Sequence, residues 1–162
     1  MTRYSPRRAR SSPDADGSTV STPRIKRAAG WGRPLVLRGT KRGTRLRATP
    51  LSVIDPAPGS AFFQPNAANR FVALRVELVN VGTALYSDTV SNGARLLDSR
   101  GRLVRAHILD AAEPGLNRPR LRPGERKTGT LSFELPKGIR IRALRLTLDS
   151  GLGPETGLWT LV

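Results

Sequence analysis

Residues 70–80 (RFVALRVELVN) alternate between apolar and polar positions. One parity holds four large apolar residues, which are Val72, Leu74, Val76 and Leu78. The other parity holds Arg75 and Glu77. A period of two residues is typical of a strand that buries one face and exposes the other. We therefore predict a central strand, with its apolar face on the core and Arg75 and Glu77 in water.

Short segments of this kind recur from about residue 34 onward, separated by Gly, Pro, Asn and Asp. The predicted strands, including one hairpin, cover 34–39, 44–54, 70–80, 94–109, 127–135, 139–149 and 158–162. About eight short strands with turn signals, and no convincing helical period, favour an all-β, immunoglobulin-like antiparallel β-sandwich of two sheets. Beside the opening strand, its predicted core includes Leu131, Phe133, Leu144 and Leu146.

Two of these strands carry irregularities. The parity predicted to face the core changes at Pro50, from Leu46 before it to Leu51 after it, and a proline within a strand indicates an edge or a bulge. A second change of parity predicts a bulge near Arg142 and Ala143. Glycines mark a hairpin turn after Asp98 and a type II turn within the RPGE segment.

The N-terminal segment differs from the rest of the chain. Residues 1–32 hold almost no apolar periodicity, and prolines lie among Ser, Thr, Gly and Arg. Such a segment cannot bury enough apolar surface to offset the entropy of ordering it. We predict a disordered basic arm over residues 1–32 and the sandwich over residues 33–162, with Trp31 as the first residue to dock.

Charge is high and uneven along the chain. The 162 residues contain 28 Lys and Arg against 12 Asp and Glu, for a net charge of +16. Residues 1–50 carry 13 basic and two acidic residues, whereas residues 51–162 carry 15 and 10. Such an excess favours a polyanionic partner: nucleic acid, acidic lipid or an anionic wall polymer. A GC-rich coding bias would produce the same excess of arginine without selection for binding.

The basic clusters are the candidate contact residues for a polyanion. Arginine suits phosphate and carboxylate groups because its planar guanidinium donates two parallel hydrogen bonds. Alternating arginines in an extended segment project to one side, although a solvated strand face has the same pattern. The candidates are Arg7, Arg8, Arg10, Arg24, Lys26 and Arg27 in the arm, and Arg118, Arg120 and Arg122 in the sandwich.

Little in the sequence indicates catalysis. Cysteine is absent and His107 is the only histidine, so thiolate chemistry and a Cys or His metal site are excluded. The oxygen-bearing side chains of Asp110, Glu113 and Asn117 match no EF-hand spacing. We expect no enzyme, no cofactor and no metal. No apolar run is long enough for a transmembrane helix or the core of a signal peptide.

Five motifs occur in the order found in one known family. They are LSVIDPAPG (51–59), NRFVALRVELVNVGT (69–83), LLDSRGRLV (96–104), LRPGERKTGTLSFELPKG (121–138) and WTL (159–161). With these motifs the chain resembles an immunoglobulin-like domain of unknown function common in actinobacterial and other Gram-positive exported proteins and lipoproteins. The resemblance implies an immunoglobulin-like sandwich with no established enzymatic activity and no site residues to carry over. It also implies a location outside the cell or in the cell envelope.

Three classes of function follow from these observations. The favoured one is a noncatalytic binding or structural module of the cell envelope or a larger assembly, with a protein or a polyanion as partner. The alternative is a nucleic-acid-binding protein that uses the Arg-rich arm. An enzyme is the least favoured class, because the sequence offers one histidine and no catalytic motif.

Overall fold

A computed structural model of the chain describes residues 25–161. Within that range the chain forms eleven strands and two short 3₁₀ helices, Val90–Gly93 and Asp149–Gly151. The strands are β1 (Ile25–Gly30), β2 (Leu35–Arg38), β3 (Arg45–Ala57), β4 (Asn69–Asn80), β5 (Tyr86–Ser87), β6 (Ala94–Asp98), β7 (Leu103–Arg105), β8 (Arg120–Leu121), β9 (Arg126–Pro136), β10 (Ile141–Thr147) and β11 (Thr156–Thr160). None of the helices in this range is both long and apolar enough to cross a membrane.

Two main sheets enclose the core. The first sheet has the strand order β1-β11-β10-β6-β7, and the second has the order β2-β3-β4-β9. Strands β5 and β8 form a separate small pair. All pairings are antiparallel except that of β1 with β11, which is parallel. The predicted all-β sandwich is thus confirmed, with more short strands than the eight expected.

The predicted core is confirmed as well. Strand β4 lies in the interior of the second sheet, between β3 and β9. The core residues predicted from the alternation are all at most 3% exposed: Val72, Leu74, Val76, Leu78, Leu131, Phe133, Leu144 and Leu146. The largest buried side chain is Trp159 of β11, whose Nε1 donates to the carbonyl of Arg33 at 2.8 Å.

The other face of β4 departs from the prediction, because much of it is covered. Phe71 and Ala73 are buried there in a second apolar cluster, and Phe63 from the loop after β3 stacks on Phe71 with 4.4 Å between ring centroids. Arg75 and Glu77 are half-buried rather than exposed. The loop after β3 and the segment around residues 107–112 fold over this face, which local alternation does not reveal.

Both predicted bulges are present. The pairing of β3 with β4 shifts between Pro50 and Ser52, and the pairing of β10 with β6 shifts between Ile141 and Ala143. Leu51 is the extra residue at the first bulge and is 46% exposed, so its predicted inward position is wrong. A bulged residue has no partner across the ladder, and here its side chain turns to solvent.

The start of the sandwich also requires a correction. Strand β1 lies inside the segment predicted as an arm, and it pairs with β11. Trp31 donates its backbone N–H to Thr160 at 3.0 Å, and Ala29 and Trp31 pack against the core. The described sandwich therefore begins at Ile25 rather than at residue 33. The rest of the predicted arm, residues 1–24, lies outside the described residues.

The predicted hairpin turn joins β6 to β7, with Gly101 at φ 80°. The buried carboxylate of Asp98 organises it by accepting hydrogen bonds from the backbone N–H groups of Arg100 and Arg102, at 2.8 and 2.9 Å. The pKa of Asp98 is lowered, chiefly because the Arg102 N–H donates to the ionised form, while burial opposes the shift. The carboxylate therefore stabilises the fold only while it is ionised.

We expect the substitution Asp98→Asn to flatten the acid side of the stability curve. A carboxyl group whose pKa is lower in the folded state stabilises the fold above its unfolded pKa of about 3.9, and that contribution is lost as pH falls through the folded pKa. Wild-type Tm should therefore drop more between pH 6 and pH 3 than the variant's Tm, as measured by circular dichroism. Parallel Tm–pH curves would contradict the assigned role of Asp98.

Candidate anion-binding face

Three arginines lie in cross-strand register on the first sheet. Arg105 of β7 is directly opposite Arg95 of β6, and Arg95 is directly opposite Arg145 of β10. Their neighbours along β6 and β10 are buried: Ala94, Leu96, Leu144 and Leu146. Because side chains alternate along a strand, the three arginines point away from the core. We call Arg105, Arg95 and Arg145 the arginine row, which runs perpendicular to the strands.

The row has no counter-charge among residues 25–161. Carboxylates there lie within 4.0 Å of five other basic side chains, which are Arg38, Arg70, Arg102, His107 and Arg126. Like charges directly opposite one another in a sheet repel. The pKa of Arg95 is lowered, first by burial and then by the positive charge of Arg105. An anion placed over the row would relieve this repulsion.

The central guanidinium of the row is held in place by the backbone. Its Nη1 atom donates to the carbonyl of Asn92 at 2.9 Å and to the carbonyl of Ala94 at 2.8 Å. Its Nε and Nη2 atoms make no further hydrogen bond within the described part of the chain. Arg95 is therefore positioned before any ligand arrives, with donors left over for an oxyanion.

Two grooves lie against the arginine row. One has a volume of about 500 Å³ and combines Arg95 and Arg105 with Ser91, Asn92 and Ile108. The other, of about 170 Å³, combines Arg95 and Arg145 with Thr147 and Thr156. The oxygens of the two threonine hydroxyls are 2.6 Å apart, so one hydroxyl donates a hydrogen bond to the other. The hydrogen of the accepting hydroxyl is not used in this bond. The first groove thus combines the Ser91 side chain with two guanidinium groups, a combination suited to phosphate or carboxylate oxygens, whereas Thr147 and Thr156 are buried.

The residues predicted from sequence lie elsewhere. Four of them, Arg7, Arg8, Arg10 and Arg24, lie outside the described residues. Lys26 and Arg27 belong to β1, and the side chain of Arg27 is exposed. Arg118, Arg120 and Arg122 are exposed and alternate with the buried Pro119 and Leu121, as the spacing predicts. Arg120 belongs to the small β5–β8 pair, a different sheet from that of the arginine row.

Sequence reasoning missed the arginine row. Each of its members occupies an outward position beside apolar residues, in the segments ARLLD, LVR and IRALRLT. That signal shows an exposed arginine on each strand, but not that the three strands are neighbours. Strands β6 and β10 are separated in sequence by β7, β8 and β9, so only the long-range pairing creates the row.

The described residues assemble no recognisable catalytic centre. No group of three or more His, Cys, Asp or Glu side chains there could hold a metal ion. The ring of His107 packs edge-on against Phe63 and Phe71, and its Nε2 lies 3.5 Å from the carboxylate of Glu134. Glu134 in turn accepts the backbone N–H of Asn66 at 2.8 Å. The histidine thus belongs to the packing of the second apolar cluster.

The fold and the unpaired arginines define a β-sandwich module with a basic outer face. The chain belongs to the family described as Domain of unknown function (DUF4352), whose sequence profile matches residues 43–155. This agrees with the resemblance to an immunoglobulin-like domain of unknown function. No functionally curated protein matches the sequence.

Two solved structures share the fold. One is MPT63, a secreted protein from Mycobacterium tuberculosis, with a TM-score of 0.62 and 15% identity over 83% of this chain and 96% of MPT63. The other is the YjhA protein from Bacillus subtilis, with a TM-score of 0.53 and 15% identity over 84% of this chain and 99% of YjhA. At such low identity these similarities concern the architecture alone.

Proposed function

We propose that this chain is a noncatalytic binding module of the cell envelope or a larger assembly, and that the outer face of its first sheet binds a polyanion through the arginine row. The observation that carries this proposal is the register of Arg105, Arg95 and Arg145 with no carboxylate near them among the described residues. Three like charges in cross-strand register do not stabilise the fold. They would, however, attract and stabilise a bound anionic ligand.

The row suits a linear ligand that lies across the strands. Neighbouring strands are spaced by about 4.8 Å, so successive guanidinium groups would meet successive anionic groups of an extended polymer. Each guanidinium can donate two parallel hydrogen bonds to one phosphate or carboxylate group. The net charge of +16 adds long-range attraction for any such polymer.

A location outside the cytoplasm fits this proposal. MPT63, one of the structural neighbours, is a secreted protein. The motif resemblance is to exported proteins and lipoproteins of actinobacteria and other Gram-positive bacteria. We therefore infer that the module works in the cell envelope or outside the cell, where anionic polymers and acidic lipids are available.

The test removes the arginine row and compares it with an equal loss of charge elsewhere. The triple variant Arg95→Gln/Arg105→Gln/Arg145→Gln should lose most of its affinity for inorganic polyphosphate and for duplex DNA used as a phosphate polymer. For duplex DNA, the slope of log affinity against log salt should become shallower by about 2.7, since each neutralised phosphate contributes about 0.9.

The matched control carries the same substitution at three other arginines, namely Arg118, Arg120 and Arg122. Binding is measured by fluorescence anisotropy at several salt concentrations. An equal loss in both triple variants would mean that affinity follows net charge rather than the row. A larger loss of affinity in the control would show that the polyanion contacts the stripe of three arginines predicted from sequence.

Nucleic-acid binding through the arm is the second candidate function, favoured by the seven basic residues before residue 30, five of which lie within residues 1–24. One deletion experiment distinguishes the two functions. If duplex DNA binding disappears when residues 1–24 are deleted but survives loss of the arginine row, the arm is the binding element and the second function replaces the first.

A further inference from the structure

We propose that, among the polyanions considered, this face binds acidic lipid, so that the charged head of an anionic amphiphile contacts the arginine row while its acyl chain lies on the apolar part of an adjoining groove. This inference rests on the proposed anion-binding function and names the class of ligand. The groove has a volume of about 520 Å³, and its apolar lining includes Leu97, Ala143, Leu158 and Leu161. We call these four residues the apolar floor.

The apolar floor adjoins the row on the same surface. Leu97 lies two residues after Arg95 on β6, and Ala143 lies two residues before Arg145 on β10, so each pair shares one face of the sheet. Leu158 of β11 is directly opposite Arg145. Two residues along a strand span about 6.7 Å. A ligand whose charged head contacts the row would therefore reach the apolar floor with only the first few carbon atoms of its chain.

The groove is recessed and has a second basic edge. Ala143 is only 1% exposed and pairs with Leu97, whose longer side chain stands beside it. The position of Leu161 in the apolar floor is fixed because its backbone N–H donates to the carbonyl of Arg142 at 2.8 Å. Arg142 itself is exposed at the bulge in β10. An extended chain in this trough would thus lie between basic residues on both sides.

Charge complementarity selects the occupant. A second copy related by a two-fold axis through this face would place arginines against arginines. Residues 1–24 of the same chain carry five arginines and two aspartates, so they would be repelled as well. A purely ionic polymer would neutralise the row but leave Leu97 and Leu158 uncovered. An acyl chain with a phosphate or carboxylate head matches both the charge and the apolar floor.

The experiment uses dodecyl phosphate below its micelle concentration as the probe, with the full-length protein in a titration calorimeter. Dodecyl maltoside supplies the same chain on an uncharged head, and tripolyphosphate supplies charge without a chain. We expect dodecyl phosphate to bind at least tenfold more tightly than either. Leu97→Asn should lower the affinity for dodecyl phosphate about tenfold and leave the affinity for tripolyphosphate unchanged. Arg95→Gln should lower the affinity for both.

Leu51→Asn is the matched control, because Leu51 is exposed on the second sheet. It should bind all three probes as the wild type does. The proposal of an amphiphilic ligand would be overturned by equal affinities for dodecyl phosphate and tripolyphosphate, or by the absence of any effect of Leu97→Asn. Either result would leave the anion-binding function intact. Failure of Arg95→Gln to weaken tripolyphosphate would instead overturn the proposed function of the row.

Discussion

The substitution Val76→Asp is expected to abolish cooperative folding of the sandwich. Val76 lies in the middle of β4, is 1% exposed, and pairs with Pro50 on one side and Gly129 on the other. An aspartate there would place a carboxylate among apolar side chains with no partner. An unpaired buried charge costs several kcal/mol, a large part of the roughly 5–15 kcal/mol that stabilises a typical domain.

The variant should lose its sheet signal in far-UV circular dichroism and its amide dispersion in NMR spectra at 25 °C. Leu51→Asp introduces the same charge at the β3 bulge, where the side chain is 46% exposed. That control should unfold cooperatively, within about 1 kcal/mol of the wild type. A Val76→Asp protein that melts like the wild type would show that the inward face of β4 has been assigned wrongly.

The features that sequence predicted correctly are those with a local cause. The alternation over residues 70–80 placed β4, because each second side chain lies on the same face. The bulges at Pro50 and near Arg142 followed from changes of parity within a single segment. The hairpin turn ending at Gly101 followed from its residue types.

The features that sequence missed depend on contacts between distant segments. The outer face of β4 carries Arg75 and Glu77, which local alternation placed in water, but both are half-buried because a loop folds over this face and covers the neighbouring Phe71. The same limit applies to the candidate site. Arg95 and Arg145 become neighbours only because β6 pairs with β10, and no periodicity within either strand encodes that pairing. The stripe at Arg118, Arg120 and Arg122 was visible because its spacing lies within one segment.

The parallel pairing of β1 with β11 is a further long-range contact, and it changes what the N-terminal region does. A segment with little apolar periodicity completes the edge of the first sheet, because its backbone pairs with β11 and Ala29 and Trp31 reach the core. Composition alone could not distinguish this strand from the residues before it. The first sheet, which carries the arginine row, therefore depends on residues predicted to lie outside the sandwich.

Two truncations test this boundary, and their stabilities are expected to differ sharply. Deleting residues 1–33 removes β1, the packing of Trp31 and the carbonyl of Arg33 that accepts the Nε1–H of Trp159. The loss of partly buried aromatic packing and of a hydrogen bond to a buried donor should cost roughly 3 kcal/mol or more. Deleting residues 1–24 leaves all these contacts, and that form should stay within about 1 kcal/mol of the full chain.

Urea unfolding followed by tryptophan fluorescence and circular dichroism measures both differences. The deletion of residues 1–33 also uncovers the edge of β11, so that form should associate more readily at high concentration, as seen by light scattering. Equal stabilities of the two truncated forms would mean that the pairing of β1 with β11 contributes nothing, and that the sandwich begins near residue 33 as its sequence predicts. A large loss on deleting residues 1–24 alone would instead place stabilising contacts before Ile25.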